Sequence, residues 1–474
     1  MKGKQKILCA SLLEAHQYLP PLGAAYINGS LLAHGYNSDV LVEFIKTTKP
    51  ERELVIDRER APLTTESLSV CVDHIKSYQP TVICYSIYNY NRESTLLLAS
   101  HIRDLFPKIK QVLGGPEVKD LLMSDNFIET LDKSFDFLVK GEGEEVIIKI
   151  MEALDNNSDE AIYGVNKPPY KSSNYYIDKF DFKTQVQDMN VLKIPDFGSN
   201  PRFERYLNSD NWWAGIPINT SRGCSGNCHF CNVKTYSKAV RFRSGEHIMN
   251  EVIYQTKKYK TNRFMIVDDD PLSLVAREET DKFLNMLKNS PIRYDWNLFN
   301  AKLDRSLSDE SRIKLLSDAG LGSVVFGFES ASENTRKHMN KFFPVKESIR
   351  ILENFKKYNI KVNINVIYCY PSETEEDFQE TLDFIKNHGH LIQHIGTNIF
   401  FNNPVYVDRF PDSIRLIEPT PEEPLASWEN DIINQDVMWD RYHRISEVLA
   451  KNFKGSYCVA SPEGSYEDKV TTSM

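Results

Sequence analysis

Cysteine is scarce in this sequence, eight in 474 residues, too few for a disulfide-stapled scaffold. No apolar run is long enough to span a bilayer. The charge balance is acidic, at −9, which argues against a nucleic-acid backbone or an anionic membrane as the main partner. No G-x-G-x-x-G follows the first apolar run, so a dinucleotide is disfavoured. No phosphate loop supports a flavodoxin-like role, and no self-similarity of solenoid length appears. The start, "MKGKQKILCASLLEAHQYLPPLG", joins a charged end to a short apolar run. That run is too short for a secretory signal and lacks a small-residue cleavage site, so it reads as a first buried strand. A cytoplasmic location with reduced thiols is the expectation.

What is present fits a globular enzyme-sized chain. Hydrophobic residues make up 41% and charged residues 26%, ordinary for a soluble protein. The length calls for two or three domains. Up to about residue 155, apolar runs alternate with helical patterns. "KILCASL", "SDVLVEF", "TVICYSIY", "KQVLGGPE" and "FDFLVKGEGE" read as strands, with amphipathic segments such as "RESTLLLASHIRDLF" between them. This alternation predicts a doubly wound parallel sheet, which binds ligands at the carboxyl ends of its strands. Residues 156–215, rich in Asn, Pro, Ser and Tyr, read as a linker. From 216 to 410 the alternation restarts through six strand–helix units, short of an eight-fold barrel, so a partial (β/α)6 barrel is expected. Residues 411–474 read as a small, mostly helical tail. Its Trp428, Trp439, Tyr442 and His443 shape a substrate pocket or form a packing helix.

Three of the eight cysteines crowd into "TSRGCSGNCHFC", residues 220–231. Cys224, Cys228 and Cys231 follow a strand, in a loop opened by Gly223 and Gly226. Chance burial is one reading. Zinc is a second, but it prefers four ligands, and His229 sits in the same tight loop. A disulfide leaves one thiol over. An iron–sulfur cluster suits three soft thiolates, which hold three irons of a four-iron cube and leave the fourth open. The other five, Cys9, Cys71, Cys84, Cys369 and Cys458, read as small apolar fillers.

The spacing, with Phe230 before the last cysteine, resembles the radical S-adenosylmethionine (SAM) superfamily. That resemblance implies a 4Fe-4S cluster on Cys224, Cys228 and Cys231 whose open iron chelates SAM. It also implies reductive cleavage of SAM to a 5′-deoxyadenosyl radical. "FGFES" resembles the ribose-contacting strand, which makes Gly327, Glu329 and Ser330 candidates. "MIVDDDPL" resembles the end of the second strand and puts Asp268 and Asp269 near the SAM amine or the substrate, against the alternative of a surface turn. "IYCYPSETEEDF" resembles a G-x-P-G-E-T turn, with Tyr370 and Ser372 in place of glycines. Lys302 in "NAKLD" stands where arginine is commoner, and Arg243 is placed to brace the loop.

A Rossmann-like domain ahead of such a barrel resembles the cobalamin-binding branch of the superfamily, over roughly residues 5–410. "PPLGAAYINGSLLAHGY", "LGGPEV" and "VKGEGEEVI" carry this likeness. It implies a corrin flat on the strand ends, with its tail lined by Gly114, Gly115 and Pro116 and its base met by Ser86. It also makes Gly141 and Glu142, in the last glycine-rich turn, cofactor contacts, against the alternative of a helix cap. "EAHQYL" lacks the Asp and Gly of a D-x-H-x-x-G loop. His16 is therefore a weak lower ligand, and "YNYNRE" (Tyr88 to Glu93) is the other candidate for the lower face. A vestigial domain without cobalamin stays open.

The resemblance implies a cobalamin-dependent methyltransferase acting on an unactivated carbon of a small molecule or peptide, through the adenosyl radical and methylcobalamin. A flavodoxin- or ferredoxin-type electron donor goes with it, while nucleic acid and a membrane span do not. Cyclisation, ring contraction or oxidation without methyl transfer is a rival, as is a non-catalytic cobalamin or iron–sulfur sensor.

Overall fold

The computed structural model describes residues 5–14, 21–45, 63–122, 125–170, 184–198, 203, 207, 215–237, 239–400, 404–417, 428–462 and 466–469. The chain divides into two compact units at residue 214/215.

The first unit holds a six-stranded sheet in the order β2-β1-β3-β4-β5-β6. Its strands are β1 (Lys6–Glu14), β2 (Asn37–Ile45), β3 (Val82–Ser86), β4 (Lys110–Gly114), β5 (Phe137–Val139) and β6 (Val165–Asn166). The first five are parallel and β6 runs antiparallel to β5. Period-two alternation sends Leu8, Ala10 and Leu12 into one apolar core and Ile7 and Cys9 into another. Both faces are therefore covered, which is why the strand reads as a continuous apolar run. The order reverses between β1 and β3, the switch point of such a sheet, where a crevice opens at the carboxyl edge.

The stretch expected to be a linker is in its described parts packed on this unit. It supplies β6, and Val186, Met189 and Leu192 bury themselves against Tyr26. Asn, Pro and Ser content signalled the irregular backbone but not the few apolar anchors within it.

The second unit contains six parallel strands in sequence order, as in a (β/α)6 partial barrel. These are β7 (Ile216–Ile218), β10 (Arg263–Ile266), β11 (Asp295–Lys302), β12 (Leu321–Glu329), β13 (Lys361–Tyr368) and β14 (His394–Ile399). A small ribbon of β8 (Ser221–Arg222) and β9 (Arg241–Phe242) flanks the loop after β7. Side chains at helix starts set the connections: Ser244, Asp309 and Thr374 each accept a backbone N–H two or three residues on, as N-caps do.

The tail departs from the expected mostly helical form. A short ribbon pairs β15 (Arg415–Leu416) with β16 (Trp428–Glu429). Then β17 (Ser456–Ala460) joins β14 in parallel, and β18 (Tyr466–Lys469) pairs antiparallel with β17. The sheet thus grows to eight strands. Between them the helix Gln435–Asn452 buries Met438, Arg441, Ile445 and Leu449 and packs on the helix Glu375–His388. Trp428 is core, its indole N–H donating to the Phe400 carbonyl at 3.0 Å. Trp439, Tyr442 and His443 cluster together instead, with His443 stacked on Trp439 and Tyr442 edge-on to both.

Candidate active site

Parallel strands bring their following loops to one end of the sheet, so the second unit gathers the loops after β7, β10, β11, β12 and β13 there. The cysteine loop after β7 rests on the acidic run that ends β10. Asp268 is 2% exposed. Its carboxylate accepts from Asn219 Nδ2 (2.7 Å), the Thr220 and Ser221 backbone N–H groups (2.8 and 2.7 Å), Ser221 Oγ (2.8 Å) and Thr220 Oγ1. Burial pushes its pKa up to about 6 against these bonds. Asp268 therefore fastens the chain entering the cysteine loop, where the sequence pointed to a cofactor contact. Asp269 is half-buried, and its charge is felt by Cys231.

Asp270, which sequence reasoning passed over, takes the next position. It accepts from Ser225 Oγ (2.6 Å) and Ser225 N (3.1 Å) inside the loop. Lys302 donates to Ser225 Oγ at 2.7 Å and lies 3.5 Å from Asp270 and 3.0 Å from Asp304. The one available signal was the third aspartate of "DDD". Arg243 braces the loop from behind. Its Nη1 donates to the Asn219 carbonyl at 2.8 Å, and the guanidinium pairs with buried Glu251 at 2.6 Å.

The three thiols are half-buried. Cys224 and Cys228 border one space: a methyl at Gly226 would lie 3.4 Å and 3.8 Å from their sulfurs. Gly226 N donates to Cys224 Sγ at 3.3 Å and Val233 N to Cys231 Sγ at 3.5 Å. Desolvation pushes Cys224 up to about 12 and raises Cys228 and Cys231; Lys302 and Lys341 pull the other way. Among the described residues, no three Cys, His, Asp or Glu side chains gather tightly enough to grip a single ion. A cubane asks something different, that each thiolate hold its own iron. Soft donors, backbone N–H groups aimed at sulfur and two lysines nearby fit a [4Fe-4S] cluster.

The end of β12 faces this loop electrostatically. Glu329 has a left-handed φ of 67°, and its Oε1 accepts from Lys341 at 2.7 Å. Both charges act on the Cys228 thiol, and the Lys341 ammonium lies 5.9 Å from the Phe230 ring centre. Gly327 makes room for the pair: a Cβ there would sit 2.4 Å from Glu329 Oε1 and 2.6 Å from Lys341 Nζ. Lys341 was missed in the sequence, because nothing local ties it to a glutamate on another element. Ser330 is used differently from the expectation. It is fully buried, meets Thr381 Oγ1 at 3.2 Å and accepts from Ser332 N at 3.1 Å, shaping the turn.

Where glycines were expected in the turn after β13, Cys369 itself adopts φ 57°. Its N–H donates to Glu373 Oε2 at 2.7 Å, and Arg441 pairs with the same oxygen at 2.9 Å. The tight turn survives without glycine because a buried carboxylate closes it.

In the first unit, Ser86 and Gly114 sit side by side at the carboxyl ends of β3 and β4. Gly114 opens onto free space, since a methyl there would meet only Val139, at 3.8 Å. Tyr88 and Tyr90 stack at 5.2 Å and 5° in the turn beyond β3. Fully buried Asn91 ties that turn down: it accepts from Tyr88 N (2.8 Å) and donates to the Leu12 (2.9 Å) and Ser86 (3.2 Å) carbonyls. These groups fit a flat ligand at the switch point. Gly115 has a nearer purpose than lining a ligand's tail, since at φ 119° a Cβ would lie 2.4 Å from the Ile87 carbonyl. Pro116 is exposed beside it. Gly141 and Glu142 anchor the chain at 184–186: a Cβ on Gly141 would strike Thr184, and Glu142 Oε2 accepts from Val186 N at 2.6 Å. His16 lies outside the described residues.

Three cysteines so held, after the first strand of a partial barrel, define a class: residues 218–385 match the Radical SAM superfamily. The chain carries a radical SAM domain, the catalytic domain of enzymes that use a [4Fe-4S] cluster and SAM. More particularly, it is 25% identical over 364 residues to the anaerobic magnesium-protoporphyrin IX monomethyl ester cyclase of Rubrivivax gelatinosus, covering 76% of this chain and 61% of that one. It is 24% identical over 314 residues to the hopanoid C-3 methylase of Methylococcus capsulatus, covering 64% and 56%. The chain thus spans less than two thirds of the length of either relative. Its fold matches the radical SAM methyltransferase TsrM of Kitasatospora setae, solved with cobalamin and a [4Fe-4S] cluster, with a TM-score of 0.61 at 13% identity over 85% of this chain and 77% of that one. No helix among the described residues is long and apolar enough to cross a membrane.

Proposed function

We propose that this protein is a cobalamin-dependent radical SAM enzyme that methylates an unactivated carbon of a small molecule or peptide. What carries the reading is the pairing in one chain of a radical SAM domain with a sheet of order 2-1-3-4-5. That sheet keeps an open carboxyl edge at Gly114 beside the Tyr88–Tyr90 stack. The TsrM structure holds cobalamin and a cluster in the same overall fold. When bound, cluster and SAM supply a hydrogen-abstracting radical, and cobalamin supplies a carrier for a methyl group. The chain's own work is to hold and orient. Cys224, Cys228 and Cys231 bind iron. Asp268, Asp270 and Arg243 fix their loop. Glu329 offers an acceptor for ribose hydroxyls, with Lys341 holding its carboxylate in place. Ser86 and the two tyrosines bed the corrin. A reduced flavodoxin or ferredoxin is the expected electron source, and the cytoplasm the expected compartment.

The name of the Rubrivivax relative favours a second reading, ring formation without methyl transfer. The deciding experiment needs no substrate. Anaerobically reconstituted protein is loaded with hydroxocobalamin, reduced, and given SAM with a deuterated methyl group. The methyltransferase reading expects label on the corrin and an equal amount of S-adenosylhomocysteine. Retained cobalamin with 5′-deoxyadenosine but neither of those products supports the second reading. Failure to retain cobalamin refutes the methyltransferase reading.

A further inference from the structure

The short helix Glu333–His338 and the turn after it touch the cysteine loop at three points. His229 donates its backbone N–H to the Met339 carbonyl at 2.9 Å. Its ring Nδ1 lies 2.7 Å from the His338 carbonyl; a carbonyl only accepts, so Nδ1 carries the proton. Asn340 donates Nδ2 to the Asn227 carbonyl at 2.8 Å, from a backbone at φ 52° that asparagine tolerates. The His338 and Met339 carbonyls can accept because the last turn of a helix leaves its carbonyls without intrahelical partners.

The same segment grips the end of β12. Arg336 is buried, and its fork donates to the Ser330 (2.6 Å), Phe343 (2.6 Å) and Phe328 (3.2 Å) carbonyls. The Phe328 and Ser330 carbonyls flank Glu329, the residue held at φ 67°. The guanidinium also lies 4.4 Å from the Phe328 ring centre. Lys341 closes the turn by donating its N–H to the Arg336 carbonyl at 2.9 Å and reaches Glu329 with its ammonium.

We infer that Arg336–Lys341 is a bracket that sets the cysteine loop and the Glu329 carboxylate in one register before any cofactor arrives. His229 is the positioning residue through which the loop is held. The inference rests on reading the cysteines as cluster ligands and Glu329 as a SAM contact. It adds that the two halves of that site are mechanically one. Arg336 would not tolerate truncation, since the Ser330 and Phe343 carbonyls would lose its charged donor. The informative changes are therefore at the loop.

The test has two arms. In the cluster-free full chain, amide hydrogen exchange across residues 225–231 is compared for wild type, His229→Ala, His229→Asn and Asn340→Gly. Asparagine places an N–H where Nδ1–H was, and glycine keeps the left-handed backbone while removing the amide. In the reconstituted protein, SAM affinity is read from the change in the reduced cluster's EPR signal. His229→Ala should exchange severalfold faster in the loop and bind SAM severalfold more weakly, as loss of one exposed hydrogen bond implies. His229→Asn should restore both, and Asn340→Gly should show the same direction at smaller size. Exchange and affinity unchanged in His229→Ala, or a loss that His229→Asn fails to restore, overturns the bracket. If His229→Ala does not melt as a folded protein, Asn340→Gly decides by the same criteria. If wild type takes up no four-iron cluster, the reading of the site fails, while the exchange arm still decides the bracket.

Discussion

Replacing Gly327 with alanine should separate SAM binding from folding. A Cβ at this position would sit 2.4 Å from Glu329 Oε1 and 2.6 Å from Lys341 Nζ. A carbon–oxygen contact relaxes at roughly 3.3 Å, so the carboxylate must withdraw by about 1 Å. Both atoms are the ends of flexible side chains, so the backbone need not move. Alanine in a strand interior is favoured over glycine by roughly 0.5–1 kcal/mol, which offsets part of the local loss. Melting temperature and iron content should therefore stay near wild type. The ion pair, and any ribose bond aimed by it, is displaced. Loss of one charge-assisted hydrogen bond, about 1.5–3 kcal/mol, predicts roughly ten- to over a hundredfold weaker SAM binding. Equilibrium dialysis of the reconstituted protein with SAM, without turnover, gives the number. Unchanged affinity in a folded, cluster-loaded G327A would remove Glu329 from the SAM site. A collapsed melt would show instead that Gly327 serves packing alone.

The other expectations follow from equally local observations. Cys224, Cys228 and Cys231 changed together to alanine should leave a folded chain with no bound iron or sulfide and no 5′-deoxyadenosine under reducing conditions; iron retained by the triple variant would refute the ligand set. Gly114→Leu should fold and lose hydroxocobalamin binding, because its side chain enters the open space at the carboxyl edge, whereas Gly115→Ala should fail earlier, in folding, by collision with the Ile87 carbonyl; absorbance titration and a thermal melt distinguish the two, and undiminished binding in Gly114→Leu would move the corrin elsewhere. Arg441→Ala should cost about 3–5 kcal/mol, because it strands buried Glu373 without its cation. The double change Arg441→Met with Glu373→Gln should recover much of it in denaturant melts, and equal stability of Arg441→Ala and wild type would show that the tail helix is not held by this pair.

The alternation of apolar runs with amphipathic segments was a local property, and it was enough to indicate two parallel sheets and six β/α units. The C-x-x-x-C-x-x-C spacing was equally local, since its three thiols lie in one loop. Gly327 and Glu329 were legible because they share a strand. Pairing between distant segments left no such mark. Strand β17 is five residues long and follows an 18-residue helix, so it read as the end of a helical tail until it found β14. The apolar anchors in 184–192 were too sparse to show a period, and only packing on Tyr26 revealed that this stretch belongs to the first unit.

At the site, residue type named the candidates, but only tertiary contacts assigned their work. Asp268, Asp269 and Asp270 are one run of carboxylates in the sequence. In the folded chain Asp268 faces Thr220 and Ser221, and Asp270 faces Ser225 and Lys302, so they brace the cysteine loop from beneath. Gly115 and Gly141 looked like room for a ligand, and the room turned out to be filled by Ile87 and Thr184. Lys341 and Arg336 carry no sequence signature, and His229 stood out only as a possible zinc ligand. His229 meets a carbonyl far along the chain, whereas Arg336 and Lys341 find their carbonyls and carboxylate across one turn, on the strand before it and the segment after it. Periodicity and spacing fix what each segment is, because both act within a few residues. Which donor meets which acceptor is fixed only when strands take their order, because that order alone sets the neighbours of each loop.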